Sequence, residues 1–165
     1  MASQAPLDIF FAAYVAFEYD ASSPAIYEFN RMCQFFKWQK KGDDRNLAYM
    51  RFKDALTGQF NSTYGTDVHD YNSWKRLAEV LRISPVPDTI SGCRKEIKKV
   101  FVNITDLVDT ARTDKDVVLF SSEHELSRYT KKSKKFFPRN EAKAGGILKF
   151  LLRQIMRPGS RGKGR

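Results

Sequence analysis

The sequence predicts an all-α protein: one compact domain of six or seven helices over residues 1–157, with an aromatic N-terminal segment and a disordered basic tail at 158–165. The length of 165 residues fits one domain of ordinary size. A hydrophobic fraction of 42% with 13% aromatic residues excludes wholesale disorder. Apolar residues recur at spacings of three and four along most of the chain, which favours helices. The tail PGSRGKGR has no apolar side chain to bury.

An aromatic run and a helix come first. The rings of the run, within residues 1–22, are Phe10, Phe11, Tyr14, Phe17 and Tyr19. Because their spacing fits neither the helix nor the strand period, we expect a short helix or an extended segment packed on the core. Ser23 and Pro24 then predict an N-cap and a first helical residue. The apolar face of this helix is Ile26, Phe29, Cys33 and Phe36.

Two further helices are predicted on either side of a loop. Asp43 and Asp44 favour a helix N-terminus. The stripe of this second helix is Tyr49, Phe52, Leu56 and Phe60. Residues 61–70 predict a loop, and a third helix follows at about 70–82, capped by Asp70 and ended by the prolines at 85 and 87. Its inward residues are Tyr71, Trp74, Leu77 or Ala78, and Leu81.

The second half of the chain predicts shorter elements. A fourth helix at about 88–100 and another at about 103–112 have inward residues Ile90, Cys93, Ile97, Phe101, Leu107, Val108 and Ala111. Residues 116–120 (DVVLF) predict a strand or an extended connector. Ser122 and Glu125 form a capping box for a helix bearing Leu126 and Tyr129. After a break at 135–138, a last helix covers 139–157, where Gly145 and Gly146 favour close helix–helix approach.

The positive charge lies at one end of the chain. Residues 1–130 hold 17 Lys and Arg against 18 Asp and Glu, a net of −1, whereas residues 131–165 hold 12 against one, a net of +11. Together they give the net +10 of the whole chain. A near-neutral body with a basic end is typical of an arm that binds a polyanion, and equally of a solvated end that keeps a protein in solution.

Three basic features are candidate nucleic-acid contacts. Arg94, Lys95, Lys98 and Lys99 share the outward face of the fourth helix, either as a phosphate-contacting face or, less favoured by its two-proline turn, as a recognition helix. Lys131, Lys132, Lys134 and Lys135 precede Phe136, Phe137 and Arg139. We expect both phenylalanines to anchor the core, although an exposed ring there would stack on bases. Arg153 and Arg157 extend a basic strip into the tail.

Catalytic and metal-binding patterns find little support. His69, between Asp67 and Asp70, is the one arrangement with general-base character, and a capping role for Asp70 explains it more simply. Cys33 and Cys93 lack metal-ligand spacing and are predicted to be free, buried thiols. We therefore expect no enzyme, no cofactor and no metal. Without a signal peptide or a spanning segment, we expect an intracellular protein, nuclear or cytoplasmic, that does not insert into membranes.

Several short stretches resemble those of a widespread group of small uncharacterised fungal proteins. They are FEYD at 17–20, FNSTYGTD at 60–67, KFFP at 135–138 and AKAGG at 142–146. The resemblance covers about residues 10–157 and leaves the tail outside. It implies an intact domain and brings no activity, cofactor or site residue.

The sequence therefore favours a non-enzymatic binding module whose basic C-terminal region contacts nucleic acid, DNA or RNA, mainly through phosphates. The alternative is a protein-interaction or regulatory module, in which the aromatic residues near the N-terminus and around Phe136 form a patch for a partner or a homodimer.

Overall fold

Eight helices and a small two-stranded sheet form the part of the chain that the computed structural model describes, residues 4–139 and 143–154, with only the backbone described at 153 and 154. In chain order the elements are α1 (Pro6–Ala12), α2 (Ala25–Phe35), α3 (Asp43–Tyr64), α4 (Tyr71–Val80), α5 (Ile90–Ile97), β1 (Phe101–Val102), α6 (Ile104–Thr113), β2 (Leu119–Phe120), α7 (Glu123–Ser133) and α8 (Gly146–Gln154). The predicted mainly helical fold is confirmed.

The long helix α3 is the centre of the core. Helices α1, α4, α6 and α8 all pack against it. The Phe52 ring of α3 stacks on Phe29 of α2 with 4.7 Å between the ring centroids, and both rings are buried. Phe10 and Phe11 of α1 also contact Phe52, so the aromatic N-terminal run is part of the core.

Helix α3 is longer than the sequence analysis predicts. Residues 61–64, expected in a loop, form its last turn. Tyr64 is buried there, and its hydroxyl donates a hydrogen bond to the Leu107 carbonyl oxygen at 2.9 Å, which ties α3 to α6. The helix ends where Gly65 adopts a φ of 89°, a conformation that glycine reaches without strain.

The start of α2 also differs from the prediction. Pro24 occupies the N-cap position, α2 begins at Ala25, and the Ser23 side chain makes no capping hydrogen bond. Instead, the Ala25 amide donates to Oδ1 of Asp109, 3.0 Å away on α6. A buried carboxylate from a distant helix thus takes the place of the expected local cap.

Residues 116–120 resolve into a connector and a strand. Leu119 and Phe120 form β2, which pairs antiparallel with β1. Helix α5 ends at Ile97, three residues earlier than expected, and the chain turns into this sheet. Ser122 caps α7 by accepting from the Glu125 amide at 3.2 Å, while the Glu125 carboxylate accepts from Ser121. The capping box is therefore half formed, with Ser121 replacing the expected amide of Ser122.

The last helix begins later than predicted. Residues 143–145 precede α8, which starts at Gly146, so the two glycines lie at the helix start. The close approach is real but involves the loop between α3 and α4: a Cβ on Gly145 would lie 2.5 Å from Cγ2 of Thr66. Residues 155–157, expected to continue this helix, and the tail at 158–165 lie outside the described residues.

Two expected inward residues are on the surface. Tyr49 of α3 is 39% exposed and Ala111 of α6 is exposed. By contrast, Cys33 and Cys93 are free and buried as predicted, and burial raises the pKa of both thiols. No helix in the described ranges is both long and apolar enough to cross a membrane.

Candidate nucleic-acid interface

The lysine run at 131–135 lies at the C-terminal end of α7. Lys131 and Lys132 are exposed in the last helical turn, where positive charge is stabilised by the helix dipole. Lys134 is the C-cap residue, with a left-handed φ of 57°, and is also exposed. The run is therefore mostly helical and projects three cations from one end of α7, where a solvated loop was the simpler expectation.

Lys135 differs from its neighbours because it points into the protein. Its ammonium donates to Oδ1 of Asp106 at 2.8 Å and to the Tyr129 hydroxyl at 2.9 Å. The side chain is 27% exposed. Burial lowers the pKa of this lysine, but the hydrogen bonds to Asp106 and Tyr129 outweigh it and raise the pKa to about 12. A phosphate at Lys135 would compete with this ion pair, so the structure separates Lys135 from Lys131, Lys132 and Lys134.

The two phenylalanines after the run have different environments. Phe137 is 4% exposed and anchors the core, as predicted. Phe136 is 51% exposed, so the expectation that it is a core anchor is wrong. The two adjacent rings therefore face opposite ways, with Phe136 towards solvent and Phe137 in the core.

A groove lies between α2, α3 and the end of α7, with a volume of about 580 Å³. We call it the α2–α3 groove. Its lining residues are Ile26, Phe29, Asn30, Arg45, Tyr49, Phe52, Leu56, Lys131, Lys134 and Phe136. Three of these described residues are cationic and none is acidic. The groove thus combines positive charge with partly exposed aromatic rings, the two features that single-stranded nucleic acid requires.

Arg45 and Tyr49 are the site residues that the sequence analysis missed. The Arg45 guanidinium lies 5.9 Å from the centroid of the Phe29 ring, and Lys53 Nζ lies 5.2 Å from the centroid of the Tyr49 ring. Arg45, Tyr49 and Lys53 are four residues apart and so form one stripe on α3. The spacing of these basic and aromatic residues is visible in the sequence and could have indicated this wall of the groove. The sequence analysis instead assigns Tyr49 to the core.

A second, smaller cavity lies on the other side of Phe136. We call it the α7 cavity. It has a volume of about 200 Å³ and a mainly apolar surface. Its lining residues are Val102, Asn103, Ile104, Glu123, Leu126, Ser127, Thr130, Lys131, Phe136 and Arg139. Lys131 and Phe136 line both the α7 cavity and the α2–α3 groove, so the two form one continuous surface.

The second predicted patch lies on α5. Arg94, Lys95 and Lys98 line a shallow depression of about 230 Å³ with Ser91. The Arg94 guanidinium lies 5.0 Å from the centroid of the Phe150 ring, and Lys99 pairs with Glu96 at 3.0 Å. Part of this charge is therefore engaged within the protein. No described residue lines both this depression and the α2–α3 groove.

The remaining candidates divide between described and undescribed residues. Arg139 is exposed at the α7 cavity. The Arg153 side chain and all of Arg157 lie outside what the structure describes. Lys143, also in the basic region, pairs with Asp54 at 2.6 Å.

The arrangement around His69 is a helix cap. The His69 amide donates to Oδ1 of Asp67 at 2.9 Å. The Asp70 side chain accepts from the Asn72 amide at 3.1 Å and from the Ser73 hydroxyl at 2.9 Å, confirming its capping role at α4. Within residues 4–139 and 143–154, no group of three or more His, Cys, Asp or Glu side chains has the arrangement of a metal site.

Comparison of the chain with protein-family models, with curated proteins and with solved structures gives no match. The features of the molecule that bear on its function are therefore the α2–α3 groove, the α7 cavity and the charges around them.

Proposed function

We propose that this chain is a non-enzymatic nucleic-acid-binding module that holds a single strand in the α2–α3 groove. The observation that carries the proposal is the lining of that groove: Arg45, Lys131 and Lys134 supply three cations without an acidic neighbour in the lining. Phosphates would bind these cations, and the affinity would come largely from counterion release, which depends little on base sequence.

The aromatic residues favour a single strand over a duplex. Phe136 is 51% exposed and Tyr49 is 39% exposed, and both line the groove. Stacking on such a ring requires a base whose face is uncovered, as it is in single-stranded RNA or DNA. In a duplex the base faces are covered by stacking, so this surface would meet phosphates, sugars and base edges but no free base face.

The first test is a fluorescence-anisotropy titration of a labelled single strand of about 12 nucleotides, within the usual site size of such proteins. The variant is K131Q/K132Q/K134N, which removes three positive charges and places Asn, a residue that tolerates left-handed backbone, at position 134. Lys135 is left intact. We expect weaker binding and a slope of log affinity against log salt that is shallower by about 1.4, at about 0.7 for each of the two groove lysines removed.

The matched control is R51Q/K75Q/K115Q, which removes the same charge from exposed positions outside the groove. We expect it to retain the wild-type slope. Equal losses of affinity in both variants would show a general effect of net charge and contradict a site at the groove. Wild-type affinity in K131Q/K132Q/K134N would contradict it as well. Circular dichroism melts confirm that each variant is folded.

Phe136→Ala tests the stacking part of the proposal. Loss of one base–ring contact costs about 1–3 kcal/mol, so we expect single-strand binding to weaken roughly 5- to 150-fold while duplex binding changes little. Tyr27→Ala is the control because Tyr27 is 61% exposed on α2 but does not line the groove. An equal loss of duplex binding would contradict stacking on Phe136.

The second candidate function, a protein-interaction module, has one specific observation in its favour. Most of the N-terminal rings are buried, but Ile9, Val15 and Phe35 are 55%, 91% and 52% exposed. Exposed apolar side chains mark a protein contact where they form one contiguous patch. A homodimer whose mass is unchanged in high salt, and which the variants Val15→Ser and Phe35→Ser dissociate, would support this reading.

A further inference from the structure

We propose that the α7 cavity is a pocket for one nucleobase that carries an exocyclic amino group, with the attached phosphate held at Lys131. The inference rests on the proposed function, since it assigns a specificity to the same surface. It depends on Glu123 and Ser127, which line the α7 cavity but not the α2–α3 groove, so its failure leaves the proposal for the groove standing.

The volume of the cavity limits the ligand to a single ring system. An apolar protein cavity of about 150 Å³ accepts a benzene ring. The α7 cavity, at about 200 Å³, has room for one heterocycle of similar size. Its walls include Val102, Ile104 and Leu126, and Phe136 stands at its edge, so a flat aromatic ring finds apolar contact over most of its surface.

Three of the polar residues that line the cavity lie along one face of α7. Glu123, Ser127 and Lys131 follow one another at intervals of four residues and all line the cavity. Glu123 and Lys131 are therefore about 12 Å apart along the helix axis. An acceptor carboxylate at one end and a cation at the other match a ligand with hydrogen-bond donors at one end and a negative charge at the other.

The Glu123 carboxylate and the Ser127 hydroxyl can form hydrogen bonds with a ligand. In the part of the chain that the structure describes, neither the Glu123 carboxylate nor the Ser127 hydroxyl forms a hydrogen bond or ion pair with another described group. The neighbouring polar groups are satisfied, because Asn103 Nδ2 donates to Thr130 Oγ1 at 3.1 Å and to the Lys135 carbonyl at 3.0 Å. The wall is thus fixed, and the two α7 side chains remain available for a ligand.

A nucleotide fits this distribution better than an apolar acid does. A carboxylate accepts a hydrogen bond from the exocyclic amine of cytosine, adenine or guanine. Uracil has a carbonyl where cytosine has this amine, so two hydrogen-bond acceptors, the carbonyl oxygen and the Glu123 carboxylate, would face each other. A fatty acid would satisfy Lys131 but would leave the Glu123 carboxylate beside a hydrocarbon chain, which costs free energy.

The test compares cytidine and uridine, whose bases differ at this edge of the ring. Labelled oligocytidine and oligouridine of about 12 nucleotides are titrated against the full chain by anisotropy. We expect at least about fivefold tighter binding of oligocytidine. Glu123→Gln, which loses the pure acceptor, and Ser127→Leu, which fills the cavity, are expected to reduce that ratio to near one. His124→Leu, on the exposed face of α7, is expected to preserve it.

The outcomes separate this inference from the proposed function. Equal wild-type affinity for the two oligomers, or an unchanged ratio in both cavity variants, overturns the base pocket, while salt-dependent binding would still support the groove. Cytidine monophosphate, followed through amide NMR shifts along α7, distinguishes a free nucleotide from a base within a strand. Shifts with cytidine but not uridine monophosphate, without oligomer binding, would support the pocket and refute the single-strand proposal.

Discussion

Replacing Lys135 with methionine separates the stabilising lysine of the basic run from the three exposed ones. The change removes the ammonium but keeps an unbranched apolar side chain. The Lys135 backbone carbonyl still accepts from Asn103. Asp106 also retains the Tyr129 hydroxyl, which donates to its Oδ2 at 2.6 Å. The loss is therefore confined to one charge-assisted pair and one hydrogen bond to Tyr129.

The size of the effect follows from the exposure of the pair. A hydrogen bond to a charged group contributes about 1.5–3 kcal/mol. Because Lys135 and Asp106 are 27% and 15% exposed, solvent screens part of this, and we take about 2 kcal/mol. In a domain of this size, 1 kcal/mol shifts Tm by about 2–4 °C, so Lys135→Met is expected to lower Tm by about 4–8 °C.

The raised pKa of Lys135 determines how the Tm difference between wild type and Lys135→Met changes with pH. The pKa of Lys135 is raised from 10.5 to about 12 in the folded protein. Its stabilising contribution is therefore complete below pH 10.5 and is lost as the pH rises through about 12. We expect the Tm difference between wild type and Lys135→Met to be constant near neutrality and to narrow above pH 10.5.

Thermal melts by circular dichroism measure both effects, and single-strand binding is measured on the folded variant below its Tm. We expect single-strand affinity within about twofold of wild type. Lys135 does not line the α2–α3 groove, and its charge is paired with Asp106, so salt screens its remaining effect on a strand bound there. A Tm unchanged to within about 1 °C would refute the reasoning about the ion pair. Lost binding by a folded variant would show that Lys135 itself contacts the ligand.

Two other substitutions test the fold. Asp109→Asn would leave the buried Arg112 guanidinium without its carboxylate partner, which lies 2.9 Å away in the wild type. We expect this change to lower the free energy of unfolding by about 3–5 kcal/mol, measured by urea denaturation. A urea midpoint within error of wild type would contradict this. Gly145→Ala would place a methyl group 2.5 Å from Thr66, with an expected loss of about 1–3 kcal/mol in the same assay, and a stabilised variant would show that α8 approaches the loop less closely.

The sequence predicts most of the helices because local patterns determine them. Asp70 and Ser122 cap helices where expected, and apolar spacing places Trp74, Leu107 and Leu126 in the core. These features depend on residues within a turn or two of one another, so they are readable without a structure.

The features that the sequence analysis missed depend on distant partners. Asp109 caps α2 from 84 residues away, and Asp106 binds Lys135 from 29 residues away. No local pattern distinguishes a lysine with such a partner from a solvated one. The loop prediction for 61–64 was wrong for the same reason, since the hydrogen bond from Tyr64 to Leu107 stabilises a last turn of α3 there.

Only one of the two walls of the candidate site could be predicted from the sequence. The charge asymmetry identifies the region around Lys131 and Lys134, but not the opposite wall of the groove. Arg45 and Tyr49 join it only because the fold places them in the same groove as the end of α7, and helix spacing alone assigns Tyr49 to the core. Charge composition therefore located one side of the interface, and tertiary packing supplied the other.

The central claim is that nucleic acid binds in the groove beside Phe136. Amide NMR shifts of the full chain, recorded as a single strand is added, test it most directly. We expect the largest shifts at Lys131, Lys134 and Phe136 and, across the groove, at Arg45 and Tyr49. Shifts confined to α5, or no shifts at about 50 mM salt, would contradict it.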